Sequence, residues 1–225
     1  MRKFIRALIV LHRAFHSRDI RTRLHALVRF FTCPFLRVVR LVPAGARVLD
    51  IGAGHGVFSV LAADRGARVV AVEPDLRKVP WEGYQVAGLR GRGNPVTSQL
   101  RNHYVVGFDD VVRGTFDVVA IVDVLYKLPV EQWDPLLARA LERLAAGGML
   151  IVKEHDPTAK IKNAWNRWQE ALATKLGLTL GESFSYETPA EFTARLQRLG
   201  FKDVEAKRID FGYPHPHILY VSRPS

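Results

Sequence analysis

Residues 48–56, Val-Leu-Asp-Ile-Gly-Ala-Gly-His-Gly, decide the reading of this chain. Arg47–Ile51 reads as a strand, short and largely apolar from Val48 on, the make-up of one buried on both faces. Gly52, Gly54 and Gly56 follow at alternate positions, and Val57–Asp64 then reads as a helix. A glycine turn between strand and helix lets a ligand approach bare backbone, with helix amides pointing at its anionic end. Dinucleotide enzymes space these glycines as GxGxxG. The spacing here is one residue tighter, with Asp50 near the strand end, which argues against NAD. A second acid, Glu73, closes the next apolar run, Val69-Val-Ala-Val72, just before Pro74. That is where an open α/β sheet binds a ribose diol.

Outward from this turn, strand and helix patterns alternate. Ala67–Val72, Tyr104–Gly107, Phe116–Val122 and Met149–Lys153 read as strands. Between the last two, Trp133, Leu136, Leu137, Leu141 and Leu144 mark a helical stripe over 131–146. Continuously apolar strands such as Val118-Val-Ala-Ile-Val122 suit a parallel sheet covered on both faces. Gly83, Gly88, Gly91, Gly93 and Pro95 interrupt the rhythm, so 83–95 is expected to be loop or degraded helix. A helix is expected at Pro189–Leu199, then strands at Val204–Ile209 and Ile218–Val221. The link between these strands is too short for a helix, so they should pair antiparallel.

Taken in order, these features resemble the class I S-adenosylmethionine-dependent methyltransferases. The resemblance implies an α/β fold: a Rossmann-like, doubly wound, mainly parallel seven-stranded sheet whose last strand is antiparallel. It implies S-adenosyl-L-methionine as cofactor, held by Asp50, Gly52, Ala53, Gly54 and Gly56 in the turn. Glu73 would take the ribose hydroxyls, with Pro74 beside it, and Asp109 would face the adenine amino group. Asp123, after Phe116–Val122, corresponds to the family's segment facing both cofactor and substrate. Leu144-Ala-Ala-Gly-Gly148 resembles its turn into strand five, with Ala146 in place of proline.

Methyl transfer from a sulfonium is an in-line displacement, and a general base is needed only where the acceptor must lose a proton. Bases are sought at the carboxyl ends of the strands, where open α/β sheets bind ligands. His155 and His217 are the candidate catalytic residues, and Tyr126, Lys127 and His215 the candidate substrate contacts. No metal is expected. Trp165, Trp168 and Phe184 are read either as an apolar lid or as core.

The composition of the 225 residues is that of a globular chain, and the single cysteine, Cys33, excludes a disulfide framework or a cysteine-based zinc site. The net charge of +11 is concentrated at one end: residues 1–40 hold ten Lys/Arg against Asp19 alone, and the rest 23 against 21 acids. Residues 1–43 are thus expected to form a basic amphipathic helical cap on a methyltransferase domain at 44–225, with a helical insert at 159–200 toward the substrate. On the first helix Phe4, Leu8, Leu11 and Phe15 share a face opposite Arg2, Arg6 and Arg13. On the second, Ile20, Leu24, Leu27 and Phe31 lie opposite Arg18 and Arg29. No stretch reaches the ~18 apolar residues of a spanning helix, so the expected location is cytoplasmic, with a peripheral site on the inner membrane face as a variant.

The expected reaction is O-methylation of a small apolar, lipid-like or carrier-bound molecule, the basic helices meeting an anionic membrane, an acidic carrier protein, or only water. RNA methylation and a non-catalytic binding module are the alternatives. Nucleic acid is disfavoured because Asp123-Val-Leu-Tyr126 replaces the Asn/Asp-Pro-Pro-aromatic signature of amino-methylating enzymes, and Cys33 precedes the first strand. Of the Lys-Asp-Lys-Glu set used by ribose-methylating enzymes, only Asp123 and Lys153 are in place.

Overall fold

The computed structural model describes residues 2–74, 78, 114–159 and 185–224. Its elements run α1 (Arg2–Phe15), α2 (Ile20–Thr32), α3 (Phe35–Val38), β1 (Arg47–Ile51), α4 (Val57–Asp64), β2 (Arg68–Val72), β3 (Phe116–Val122), α5 (Trp133–Glu142), β4 (Leu144–His155), α6 (Pro189–Arg198), β5 (Phe201–Arg208) and β6 (His217–Pro224). The described strands form one six-stranded sheet in the order β2-β1-β3-β4-β6-β5. The expected strand at Tyr104–Gly107 and Asp109 lie outside the described residues, as do Trp165, Trp168, Phe184 and most of the expected insert.

The first four strands are parallel, with Leu49 beside Val70 on one side and Val119 on the other, and Val119 beside Leu150. The final hairpin is antiparallel, as its short connection requires: β6 pairs with β4 at Val152 and Tyr220, and with β5 at Ala206 and Tyr220. Asp203 has φ 50° and the β5–β6 register shifts between Lys202 and Glu205, a bulge that starts β5 earlier than the alternation indicates.

Apolar side chains on the two faces of the sheet build two cores. One gathers Val48, Val69, Val118 and Ile151 with α4 and the N-terminal helices; the other gathers Leu49, Val119, Leu150 and Val152 with α5 and α6. Adjacent strand residues thus serve opposite cores, the period of two that a doubly covered sheet imposes.

The N-terminal helices belong to the first core. Ala7, Val10, Leu11 and Phe15 of α1 are buried, in agreement with the stripe read from sequence through Leu11 and Phe15, and Arg6 holds Asp64 of α4 at 2.9 Å. In α2 the orientation is reversed. Thr22, Ala26 and Phe30 are buried, whereas Ile20, Leu24, Leu27 and Phe31 face outward. The reason lies on the inner face, where Arg29 forms an ion pair with the buried Asp123. A strand-end carboxylate without a cation would be costly, and small Ala26 allows the close approach.

Candidate active site

β1 has β2 on one side and β3 on the other, so the chain leaves its carboxyl end in one direction and returns in the opposite one. At such a switch point the loops diverge and leave a crevice. Here the crevice is a cavity of about 340 Å³ bordered by Asp50, Gly52, Ala53, Gly54, Glu73 and Pro74, with Asp123 and Lys127 from the β3 side.

Gly52 and Gly54 have φ of 69° and 59°, in the left-handed region that side chains disfavour. A Cβ on Gly52 would lie 2.6 Å from Val124, so the turn packs directly against the segment after β3. A Cβ on Gly54 would meet nothing within 4 Å; it would stand in the cavity. The Gly54 amide donates to Glu73 Oε2 at 2.8 Å, which fixes the turn to the end of β2. Gly56, at φ 84°, is the N-cap of α4. Asp50 is buried beneath the turn and accepts from Ser59 Oγ at 2.5 Å. Burial pushes its carboxyl up to about 7, against the pull of the Ser59 hydroxyl.

Asp123 connects this cavity to a second cluster. It sits at φ 58° at the end of β3, and its two oxygens pair with the buried Lys153 of β4 and with Arg29 of α2. Burial alone would raise its carboxyl; the two cations override that and hold it well below the usual carboxylate range. The Cys33 thiol donates to the same carboxylate at 3.5 Å, and burial pushes it up to about 12, so it is no thiolate. Glu154 caps the turn after β3, accepting from Val124 and Leu125 amides at 3.0 and 2.9 Å. Burial raises its carboxyl to about 8.

The second cluster is aromatic and imidazole in character. The His155 ring lies 5.2 Å from Tyr126, 5.9 Å from His215 and 5.4 Å from His217. Strand register explains the grouping, since His155 ends β4 directly opposite His217, which begins β6. His217 is buried, and its Nε2 lies 2.7 Å from the Thr32 carbonyl. A carbonyl only accepts, so Nε2 carries the proton and ties β6 to the end of α2. His155 is half-buried and pushed down to about 4 by burial, with Lys153 adding to the effect; His217 falls to about 2 for the same reasons. Both are neutral at pH 7. Asp123, His155 and His217 bring donor atoms within 4.8 Å of one another. Both oxygens of Asp123 are taken by fixed cations that would repel a metal ion.

The sequence reading expected residues 1–43 as a cap but did not single out its site-facing side chains: His25 and Arg29 of α2 and Phe35 of α3 line the cavity. The available signal was the small residue Ala26 one turn before Phe30, between His25 and Arg29. It also missed the His25–His55 ring pair, 4.9 Å apart, across the cavity mouth. Lys127 lines the cavity, and Tyr126 and His215 stand beside His155.

Residues 20–206 match the family described as "Methyltransferase domain". Over 167 residues the chain is 30% identical to the ubiquinone biosynthesis O-methyltransferase of Xanthomonas axonopodis pv. citri, covering 72% of this chain and 65% of that protein. Over 120 residues it is 33% identical to the demethylspheroidene O-methyltransferase of Rhodobacter capsulatus, covering 53% of this chain and 28% of the relative. The chain spans less than two thirds of either relative. Its fold is similar to that of the magnesium protoporphyrin IX methyltransferase of Synechocystis, solved with bound SAH, at a TM-score of 0.59 and 19% identity over 96% of this chain and 94% of that one.

Proposed function

The chain belongs to the class I S-adenosylmethionine-dependent methyltransferases, and on that premise we propose that it methylates a hydroxyl oxygen of a small, apolar, lipid-like or carrier-bound molecule. The O-methyltransferase names of the curated relatives support oxygen as the acceptor. Nucleic acid lacks comparable support, because the body after residue 40 is nearly neutral. We assign residues 1–43 to a cap over the site, with a membrane surface or an acidic carrier as partner of its basic exterior.

One observation carries the cofactor reading: the Gly54 amide on Glu73, in a positive-φ turn that faces open space at the switch point. The residues fit the group. Asp50, Gly52, Ala53, Gly54 and Gly56 form the turn, and Glu73, Pro74 and Asp123 border the cavity, where Glu73 would take the ribose hydroxyls. Bound S-adenosylmethionine supplies a methyl already activated as a sulfonium. The chain must orient the acceptor, exclude water and accept a proton.

His155 is the proposed base. It is neutral, half-buried and at the carboxyl edge of β4, beside Tyr126 and His215, which would form the wall against which the acceptor lies. His217 acts as a positioning residue: its proton is committed to Thr32, and its ring fixes the place of His155. Lys127 would orient a polar group of the acceptor. Burial holds its ammonium below the usual lysine range.

Calorimetric titration with S-adenosylmethionine tests the reading. The unmodified chain should bind; Gly54→Val should abolish binding by filling the cavity. Glu73→Gln should weaken it about tenfold or more, since hydrogen bonds to charged groups contribute about 1.5–3 kcal/mol. Normal binding by Gly54→Val would overturn the assignment.

A further inference from the structure

Helix α2 buries only Thr22, Ala26 and Phe30 beside the Arg29–Asp123 pair, and turns most of its large apolar side chains outward. Ile20, Leu24, Leu27, Val28 and Phe31 are 72, 60, 39, 49 and 53% exposed. At about 100° per residue these five fill one continuous arc, flanked by Arg21 and Arg23. Phe4 of α1 extends the surface, its ring 5.3 Å from Phe30 and 5.8 Å from Phe31. Phe4 also borders a cavity of about 610 Å³ between α1, α3 and α4, whose polar lining includes Lys3, Arg6, Arg40 and Arg65. Asp64, on the same lining, is paired with Arg6.

A single exposed leucine needs no explanation; a stripe of five on one helix does. Its occupant must match both the apolar surface and the charge around it. A second copy would bring another segment with ten Lys/Arg and one acid against this one, and like charges oppose that association. An acidic carrier would satisfy the cations but not a ladder of aliphatic and aromatic side chains. An anionic bilayer provides both: an acyl boundary for the stripe and phosphates for the arginines and lysines.

We propose that α2 lies flat on an anionic lipid bilayer, with Ile20, Leu24, Leu27, Val28 and Phe31 in the boundary between headgroups and acyl chains. Arg21, Arg23 and the cations beside Phe4 meet lipid phosphate. The proposal rests on the membrane reading of the basic cap and names the face. That face is the outer side of α2, not the α1 stripe of Leu11 and Phe15, which is spent on packing against the body.

The test is co-sedimentation of the full chain with vesicles of phosphatidylcholine alone and of phosphatidylcholine with phosphatidylglycerol. Binding should require phosphatidylglycerol and weaken as salt rises. The double variant Leu24→Ser/Phe31→Ser should lose it by more than tenfold. Arg21→Glu, a single exposed change, should weaken it several-fold and covers the case in which the double variant does not fold. S-adenosylmethionine affinity, measured in the same variants, should be unchanged, so a failure here is distinct from a failure of the methyltransferase assignment. No sedimentation with phosphatidylglycerol vesicles, equal binding to phosphatidylcholine alone, or equal binding by Leu24→Ser/Phe31→Ser would each overturn it. So would a dimer in solution that Phe31→Ser dissociates without any vesicle binding, which would give the face to a second copy.

Discussion

At the scale of single residues the site depends on which groups are charged. His155 is neutral because burial and Lys153 disfavour its cation. A base must be unprotonated to act, so kcat/KM should stay level as pH falls from 7. It should drop only toward the depressed value of about 4, well below the ~6.5 of an ordinary histidine. His155→Ala should reduce turnover by about 10²–10⁴ with cofactor affinity unchanged; an unchanged turnover number would remove it from the mechanism. His217 makes a different prediction, about stability. Its folded pKa is depressed to about 2, so below ~6.5 the unfolded chain binds a proton that the folded chain refuses, and stability falls with pH. His217→Gln keeps a donor for Thr32 but does not titrate. Between pH 6.5 and 5, urea midpoints should converge in favour of the variant by roughly 2 kcal/mol relative to the starting difference.

At the scale of elements, α2 is tied to the sheet by a charge rather than by its apolar stripe. Arg29 reaches Asp123 from one side and Lys153 reaches it from the other. Removing one partner of a buried pair costs about 3–5 kcal/mol. Arg29→Met should fall at the lower end, because Lys153 still neutralises Asp123, and chemical denaturation would measure it. Lys153→Met should cost more, since Lys153 is fully buried. The two substitutions share one carboxylate, so their effects should not add. This arrangement also marks a limit of reading helices by periodicity. The arc of Ile20, Leu24, Leu27 and Phe31 was visible in the sequence, but periodicity finds an apolar face without saying what covers it. In α1 the body covers it; in α2 the body needed Arg29.

At the scale of the molecule, most of the sheet was legible because strands buried on two faces have little compositional freedom. Val118-Val119-Ala120-Ile121-Val122 could hardly be anything else, and the glycine turn at Gly52–Gly56 sits beside β1 where its spacing implied. The antiparallel end followed from a link too short for a helix. The histidine cluster was less legible. His155 and His217 are 62 positions apart by their numbers, and only the β4–β6 register sets them face to face. The ion pair of Asp123 with Arg29 was hidden for the same reason, since contacts between distant segments leave no local pattern. The charge, in contrast, was readable to the residue: a nearly neutral body and a basic beginning.

The two-sided character of α2 has a consequence for supply. One wall of the cavity is the inner surface of the helix whose outer surface is apolar, and an α-helix with its side chains is only about 10–12 Å across. An acceptor dissolved in lipid would travel the width of one helix to reach the reacting edge of the sheet. Its delivery would then be governed by its mole fraction in the bilayer and not by its solubility in water, so a very insoluble molecule could still saturate the enzyme.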